Sequence, residues 1–342
     1  MPYPIIIPDY FEELHDENNP DNDGVEFVQL TTPAALEMIF PLNQERVIRR
    51  LMDHPDTMGY KMINIAPEDE PKFIEKADEL KRNTPALEYY WNIKTISMNM
   101  LQDRRYTLDD RMLMLNFVYK TIDTMFDKKR EDAINPFIGQ TMREQDHSEI
   151  MKYFSVDQVK PNPVFSLADG LTFLRSLPES EDVKKLRTIV FKKYKAPEDM
   201  KGFTYNELHD KIRETFGKMF KAPAIENGAV QNTPEGEIDR TFYFEQVMVN
   251  YIWTFCMPFA DFRLDLWSNY IFFNIIYNAL KVIVAGYTYE SRTVDEDFVF
   301  AVKTFDNALR SVKGSIVARI KDANDKQGLS NNGDMAILTI GW

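Results

Sequence analysis

The sequence predicts an all-α fold: a large multi-helix bundle with a nearly fully buried central helix near the C-terminus. Only 13 of the 342 residues are glycine, and the 18 prolines fall mostly where helices would begin or end. This pattern disfavours an all-β protein and a glycine-rich nucleotide-binding fold. Hydrophobic residues make up 44% of the chain, which is ample for a packed core. Residues 242–321 have the pattern of three consecutive helices, the middle one almost wholly apolar.

The middle helix of this trio, residues 266–286, is nearly long enough to cross a bilayer. It also carries Asn269, Asn274, Asn278 and Lys281, and polar side chains without partners are unfavourable in hydrocarbon. A helix buried on all sides inside a globular protein has the same composition. We therefore expect a core helix and no membrane span, with a membrane helix as the alternative.

The chain divides into an arm, a helical body and a tail. Residues 1–30 are predicted to form an acidic, extended N-terminal arm with a short strand over 26–30, and residues 327–342 a tail packed on the body. Residues 31–326 are predicted to form a single helical domain, with a subdivision near 221–238, where turn-forming residues are concentrated. Capping residues, N-terminal prolines and apolar spacing predict helices over 86–103, 111–129, 167–177, 182–194, 205–220, 240–257, 267–287 and 294–322. Residues 43–53 and 72–82 are predicted to be helical on the same grounds.

The net charge of −13 is concentrated at the N-terminus. Residues 1–45 contain no Lys or Arg, but they contain Asp9, Glu12, Glu13, Asp16, Glu17, Asp21, Asp23, Glu26, Glu37 and Glu45. An acidic chain repels phosphate backbones, so we expect no nucleic-acid partner. Two interpretations of the arm stay open, a solvated acidic segment and a docking site for a basic protein. The first residues lack the features of a signal peptide, and we expect a cytoplasmic protein.

The sequence predicts no metal centre. Cys256 is the one cysteine, so a single chain holds neither an internal disulfide nor a cysteine-ligated iron–sulfur cluster. Glycine-rich phosphate loops are missing. The spacings Glu12/His15 and Glu144/His147 match part of a di-iron motif, but they lie in polar stretches, and we interpret them as surface residues. The pair Asp109-Asp110 is better explained as favourable charge at a helix N-terminus than as an acid/base pair.

Polar residues within the apolar C-terminal helices need partners. Asn250 and Tyr251 lie among apolar residues, and Asn274 and Asn278 are one helical turn apart. Hydrogen bonds that fix helix packing would satisfy them, and so would a ligand in a pocket lined by tyrosines and asparagines. The residue pattern leaves both explanations open.

Two segments of the chain resemble the flagellin lysine N-methylases, a family of the bacterial flagellar system. In residues 93–125 the matching positions are Leu101-Gln102-Asp103-Arg104, Tyr106 and the helix that starts with Arg111-Met112-Leu113, with Asn116 in place of the usual glycine. In residues 244–259 they are Phe244-Glu245 and Val249-Asn250-Tyr251, followed by the apolar helix and the acidic start of the last helix. Together the segments cover roughly a third of the chain.

The resemblance implies protein-lysine methyl transfer, with S-adenosylmethionine as methyl donor and a protein such as flagellin as substrate. The family's cysteines are missing here, so its iron–sulfur or metal chemistry does not carry over. The alternative is a non-catalytic, chaperone-like relative that binds a protein segment in a helical groove. No catalytic residue is identified from the sequence. The binding candidates are Arg111, Glu245, Asn250 and Tyr251, chosen as polar residues inside the two matching segments.

Overall fold

The computed structural model describes residues 4–8, 60–64, 89–143, 147–152, 162–197, 199–204, 207–219, 225–226, 229–230, 241–254, 257–258 and 264–327. Helices dominate this part of the chain, which confirms the predicted all-α class. The arm strand predicted at 26–30, the helices predicted at 43–53 and 72–82, and the tail after residue 327 lie outside the described residues.

The helices follow in chain order. They are α1 (Tyr90–Leu101), α2 (Leu108–Asp127), α3 (Ile134–Arg143), α4 (Ser148–Met151), α5 (Pro163–Ser176), α6 (Glu181–Tyr194), α7 (Glu207–Met219), α8 (Thr241–Thr254), α9 (Leu266–Thr288) and α10 (Val294–Gln327). A short 3₁₀ helix, Glu131–Ala133, precedes α3. Two small antiparallel pairs accompany them: β1 (Pro4–Pro8) with β2 (Tyr60–Asn64), and β3 (Ile225–Glu226) with β4 (Ala229–Val230). β1 lies against α1.

Capping side chains set several of the helix starts. Thr107 accepts a hydrogen bond from the Asp110 backbone N–H and begins α2, three residues before the start predicted at 111. Asn162, Ser180 and Asp265 do the same for α5, α6 and α9. Each of these side chains satisfies a backbone donor that has no partner inside its own helix.

Helix α9 is the centre of the described fold. It contacts α2, α5, α6, α7 and α10, and all of its residues except Ile275 are buried. Of the described helices, it is the one that is long and apolar enough by length and composition to cross a membrane, and 94% of its apolar window is buried inside the protein. The predicted buried C-terminal helix is therefore confirmed.

Two glycines allow close helix contacts at α9. A Cβ added at Gly286 would lie 2.5 Å from Cε2 of Tyr194 on α6, and one added at Gly170 on α5 would lie 2.4 Å from Cγ2 of Val282. The Tyr194 hydroxyl donates to the Val282 carbonyl at 3.0 Å. Helices α5 and α6 therefore pack on α9 at distances that a larger residue would prevent.

The polar residues of α9 bond to their surroundings. Asn278 donates to the Ser166 carbonyl and to Asp169 on α5, at 3.0 and 3.1 Å. Lys281 pairs with Asp109 at the start of α2 at 2.7 Å, and the Tyr277 hydroxyl donates to the same carboxylate. At these positions, contacts between helices account for the buried donors, while Asn278 Oδ1 has no hydrogen-bond partner among the described residues.

Candidate functional site

The loop between α1 and α2, residues 102–107, forms the centre of the candidate site. Its one amide and three charged side chains point to two different places. Arg104 reaches α8, whereas Gln102, Asp103 and Arg105 line an open cleft. The loop therefore connects a buried ion-pair network with a surface cavity.

The buried network joins the two segments that resemble the flagellin lysine N-methylases. Glu245 on α8 accepts from Arg111 Nη1 at 2.6 Å and from Arg104 Nη2 at 3.0 Å. The side chains of Arg111 and Glu245 are both fully buried, and that of Arg104 is 22% exposed. A buried carboxylate between two guanidinium groups holds α8 against the start of α2 by charge-assisted hydrogen bonds.

Arg111 also fixes the loop itself. Its Nη1 donates to the Leu101 carbonyl at 2.8 Å, and its Nε donates to the Tyr106 carbonyl at 2.8 Å. The carbonyl of Leu101 is at the end of α1, where helical carbonyls lack partners within the helix. The Nη2 of Arg111 has no hydrogen-bond acceptor among the described residues. The guanidinium thus fastens both ends of the loop while Glu245 balances its charge.

The cleft lies on the other side of the loop and has a volume of about 360 Å³. Its lining consists of Ile96, Asn99, Met100, Gln102, Asp103, Arg105, Thr141, Met142 and His147. This volume is within the usual range of small-ligand sites, roughly 300–1,000 Å³. Helices α1 and α3 supply its walls, and residues 144–146 between α3 and His147 lie outside the described part.

The polar wall of the cleft is built by Asp103, Arg105 and His147. Arg105 donates to both oxygens of Asp103 at 2.6 Å from Nε and from Nη2. His147 Nδ1 lies 3.3 Å from the second Asp103 oxygen. On the other side of the ring, Nε2 lies 3.0 Å from the Thr141 carbonyl. The backbone N–H of His147 donates to the Tyr106 hydroxyl at 2.9 Å.

These contacts favour the charged form of His147. The Thr141 carbonyl only accepts, so Nε2 carries a hydrogen. Nδ1 faces the Asp103 carboxylate at 3.3 Å without the geometry of a hydrogen bond, and the contact with Asp103 raises the pKa of His147 against the opposing effect of burial. Burial alone would raise the pKa of Asp103, but the contacts with His147 and Arg105 outweigh it and hold that pKa well below its usual value. Asp103 and Arg105 therefore form an ion pair beside His147.

The rest of the cleft surface is suited to contact with a ligand. Ile96, Met100 and Met142 give it an apolar side, and Met142 is 42% exposed, one of two large hydrophobic side chains that the described part exposes. The side-chain amides of Asn99 and Gln102 have no hydrogen-bond partner among the described residues. The Arg105 side chain is 42% exposed and places a cation at the wall. The cleft thus combines an apolar side, two amides and a charge.

The structure separates the four sequence-predicted site residues into two places. Arg111 and Glu245 contact each other in the network beside the cleft. Asn250 and Tyr251 are buried farther along α8, where Tyr251 is near Asp306 of α10; burial, and then the charge of Asp306, raise the pKa of Tyr251. None of the four residues lines the cleft. Their roles as binding residues stay predictions.

One sequence interpretation is wrong at this site. His147 is buried, only 6% exposed, and it belongs to the cleft wall rather than to the surface. Glu144, His15 and Glu12 of the spacing motifs lie outside the described residues. Among the described residues, no group of three or more His, Cys, Asp or Glu side chains could hold a metal ion.

Sequence reasoning did not select the cleft residues Asp103, Arg105 and His147. A signal existed, because Asp103 lies in the first matching segment and charged residues at the end of an apolar helix need partners. The partner His147 is 44 positions from Asp103, and nothing in the local sequence connects the two.

Comparison with known proteins gives one match. A model of the family described as FliB lysine N-methylase C-terminal domain matches residues 94–338, which is more than half of the chain. This range includes α2, the cleft wall and the network around Glu245, and it begins inside α1. No curated protein and no solved structure matches the chain.

Proposed function

The chain belongs to the FliB lysine N-methylase family through its C-terminal domain, and from this premise we propose that it transfers methyl groups to lysine side chains of a protein such as flagellin. The observation that carries the proposal is the family match over residues 94–338. Within that range, the two segments that resemble the flagellin lysine N-methylases meet at Glu245, and the first of them builds one wall of the cleft.

The proposed methyl donor is S-adenosylmethionine, and the kinds of group in the cleft fit it. Arg105 offers a cation for its carboxylate, Asn99 and Gln102 offer amides for its polar edges, and the apolar side fits its ring. When bound, the donor supplies a methyl group attached to a positively charged sulfur. The lysine lone pair forms the C–N bond, and the sulfur leaves as a neutral thioether that keeps the electrons of the broken C–S bond.

The remaining task of the protein is to present a neutral lysine amine. Burial disfavours a charged amine and lowers its pKa, so a substrate lysine that is enclosed in the cleft releases its proton to solvent more readily. Holding the amine and the methyl group in line converts a bimolecular step into an effectively unimolecular one. The fixed loop contributes because Arg111 and Arg104 hold the residues on either side of Asp103 in place.

The test is methyl transfer from labelled S-adenosylmethionine to purified, unmethylated flagellin by the full chain. Label should appear on lysine side chains, identified by mass spectrometry of the digested flagellin. Met142→Trp fills the cleft at an exposed position and should reduce transfer by about 100-fold. Phe165→Trp is the matched control, because Phe165 is also a large exposed hydrophobic residue, 48% exposed, and does not line the cleft.

A second candidate function is non-catalytic binding of a protein segment. The observation that favours it is the single cysteine, Cys256, since the cysteines expected from the family resemblance are missing. Flagellin that binds without accepting label, together with no calorimetric binding of S-adenosylmethionine, would support this candidate and exclude the enzyme. A chain that neither binds nor methylates flagellin would contradict flagellin as the partner in both candidates.

A further inference from the structure

The outer face of α6 is a basic surface on an acidic protein. Residues 183–197 contain six Lys or Arg and no Asp or Glu, although the chain as a whole has a net charge of −13. The inner face of the same helix consists of Val183, Leu186, Val190, Phe191 and Tyr194, which are buried. The basic residues are therefore held on a helix whose position in the fold is fixed by its apolar side.

Three lysines form one line along this face. Lys184, Lys192 and Lys195 are exposed. At 100° per residue, the directions of Lys184 and Lys192 lie within about 80° of each other on the helix, and Lys195 is the residue that follows its end. Thr188, also exposed, lies between them. At a rise of 1.5 Å per residue, the line from Lys184 to Lys195 is about 16 Å long. We call these three residues the lysine line.

No described acidic side chain forms an ion pair with the lysine line. The other basic residues of α6 have partners: Lys193 pairs with Glu290 at 3.2 Å, Arg187 donates to the Leu177 carbonyl, and Lys185 lies over the Phe300 ring. The acids nearest in sequence are Glu181 and Asp182, in the first turn of α6, and Glu198 and Asp199, which follow Lys195. Acidic residues therefore flank the line in sequence at both ends.

Lys195 adds to the unusual character of this end. Its φ is +52°, in the left-handed region at the end of α6. Glycine is the usual residue at such a position because a Cβ makes the conformation less favourable. The lysine here places a further cation just after the helix, beside the last-turn residues Lys192 and Lys193.

We propose that the lysine line is a docking surface for an acidic segment of a partner protein in extended conformation. Charge complementarity carries the proposal. A strand that rises about 3.3 Å per residue covers the line with about five residues, and its alternate side chains face the helix. Acidic residues at alternate positions would therefore meet Lys184, Lys192 and Lys195 in turn.

An acidic peptide is favoured over a nucleic acid because electrostatic interactions in solution act over a short distance. Electrostatic interactions between exposed groups are screened beyond about 8–10 Å at physiological salt. A short peptide interacts mainly with the line itself, whereas a long phosphate backbone extends over the rest of an acidic surface and is repelled.

The test is fluorescence anisotropy with the full chain and a labelled peptide in which glutamate alternates with serine. The peptide should bind, and its affinity should decrease as salt increases. The variant K184E/K192E/K195E should weaken binding by about 10- to 100-fold. K184Q/K192Q/K195Q, which removes the charges without reversing them, should weaken it in the same direction by a smaller factor.

The matched control is K128E/K129E/R130E, which makes the same charge change at three exposed residues after α2. It should alter peptide affinity by less than about twofold. Equal weakening by this control would overturn the proposal, as would an unmodified chain that does not bind the peptide. Equal or tighter binding of a single-stranded DNA of the same charge would also overturn it, in favour of a general polyanion surface. Circular dichroism checks that each variant is folded.

Discussion

Replacing Glu245 by glutamine removes the charge that two arginines share and should destabilise the protein strongly. Arg111 is the residue that decides the size of the effect, because its side chain is fully buried and its Nη1 lies 2.6 Å from Glu245. It cannot move into water when the carboxylate is lost. The side chain of Arg104 is 22% exposed and can move into water. Glu245→Gln therefore leaves one uncompensated buried cation.

The magnitude follows from these positions. Two unit charges about 4 Å apart interact by about 4 kcal/mol at an effective dielectric constant of 20. Breaking a buried ion pair by removing one partner typically destabilises a protein by about 3–5 kcal/mol. We expect a decrease of this size in the free energy of unfolding for Glu245→Gln. Arg104→Met removes a partly exposed partner and should cost about 1 kcal/mol, because Arg111 and Glu245 remain paired.

The assay is urea unfolding followed by circular dichroism. It is applied to Glu245→Gln and Arg104→Met, and to the single variants Arg111→Met and Glu245→Leu together with their double variant. Apolar residues in place of both charges leave no buried ion, so the double variant should cost less than the sum of Arg111→Met and Glu245→Leu by about 1–3 kcal/mol. Part of the cost should remain, because the carbonyls of Leu101 and Tyr106 lose a donor. A cost below 1 kcal/mol for Glu245→Gln, or additive effects in the double variant, would refute the reasoning.

Three further predictions concern other parts of the fold. Gly286→Ala should lower the free energy of unfolding by about 1–3 kcal/mol, because its Cβ would lie 2.5 Å from Tyr194. Gly314→Ala, whose Cβ would have no atom within 4 Å, should raise that free energy by about 0.5–1 kcal/mol. Equal effects of the two variants in urea unfolding would contradict the contact between Gly286 and Tyr194. Burial, with the nearby Asp265 and Asp127, raises the pKa of Asp123 to about 6, so stability should increase as pH falls through 6. Asp123→Asn should add about 1–2 kcal/mol at pH 7 and almost nothing near pH 4, and a pH-independent gain would be evidence against this cause. The pKa of His147 is raised, so the contribution of this side chain to stability is full below pH 6.5 and is lost as the pH rises above the folded-state pKa. His147→Gln should therefore flatten the pH dependence of the melting temperature, and an unchanged pH profile would exclude this role of His147.

Local patterns were sufficient to predict most of the described helices. The predicted ranges 182–194 and 267–287 correspond to α6 at Glu181–Tyr194 and α9 at Leu266–Thr288. Apolar spacing and capping residues act within a few turns, so a single sequence displays them. The sequence analysis did not predict α3 and α4, residues Ile134–Arg143 and Ser148–Met151, because they are short and lie in an irregular, polar stretch.

The candidate site was predictable only in part. Arg111 and Glu245 were selected as polar residues inside the matching segments, but their contact joins positions 134 residues apart. Such a pairing depends on how helices cross, and helical periodicity carries no information about it. The same reason explains His147: its local sequence is polar, and only the position of α3 against α1 places it beside Asp103.

The most direct test of the central claim, that the cleft beside residues 102–107 is the functional site, is hydrogen–deuterium exchange of the full chain with and without S-adenosylmethionine. The donor should slow exchange in residues 96–105 and 141–143, which line or flank the cleft. It should leave α6 unchanged. Slower exchange confined to other helices, or binding of the donor with no change in these two ranges, would contradict the claim.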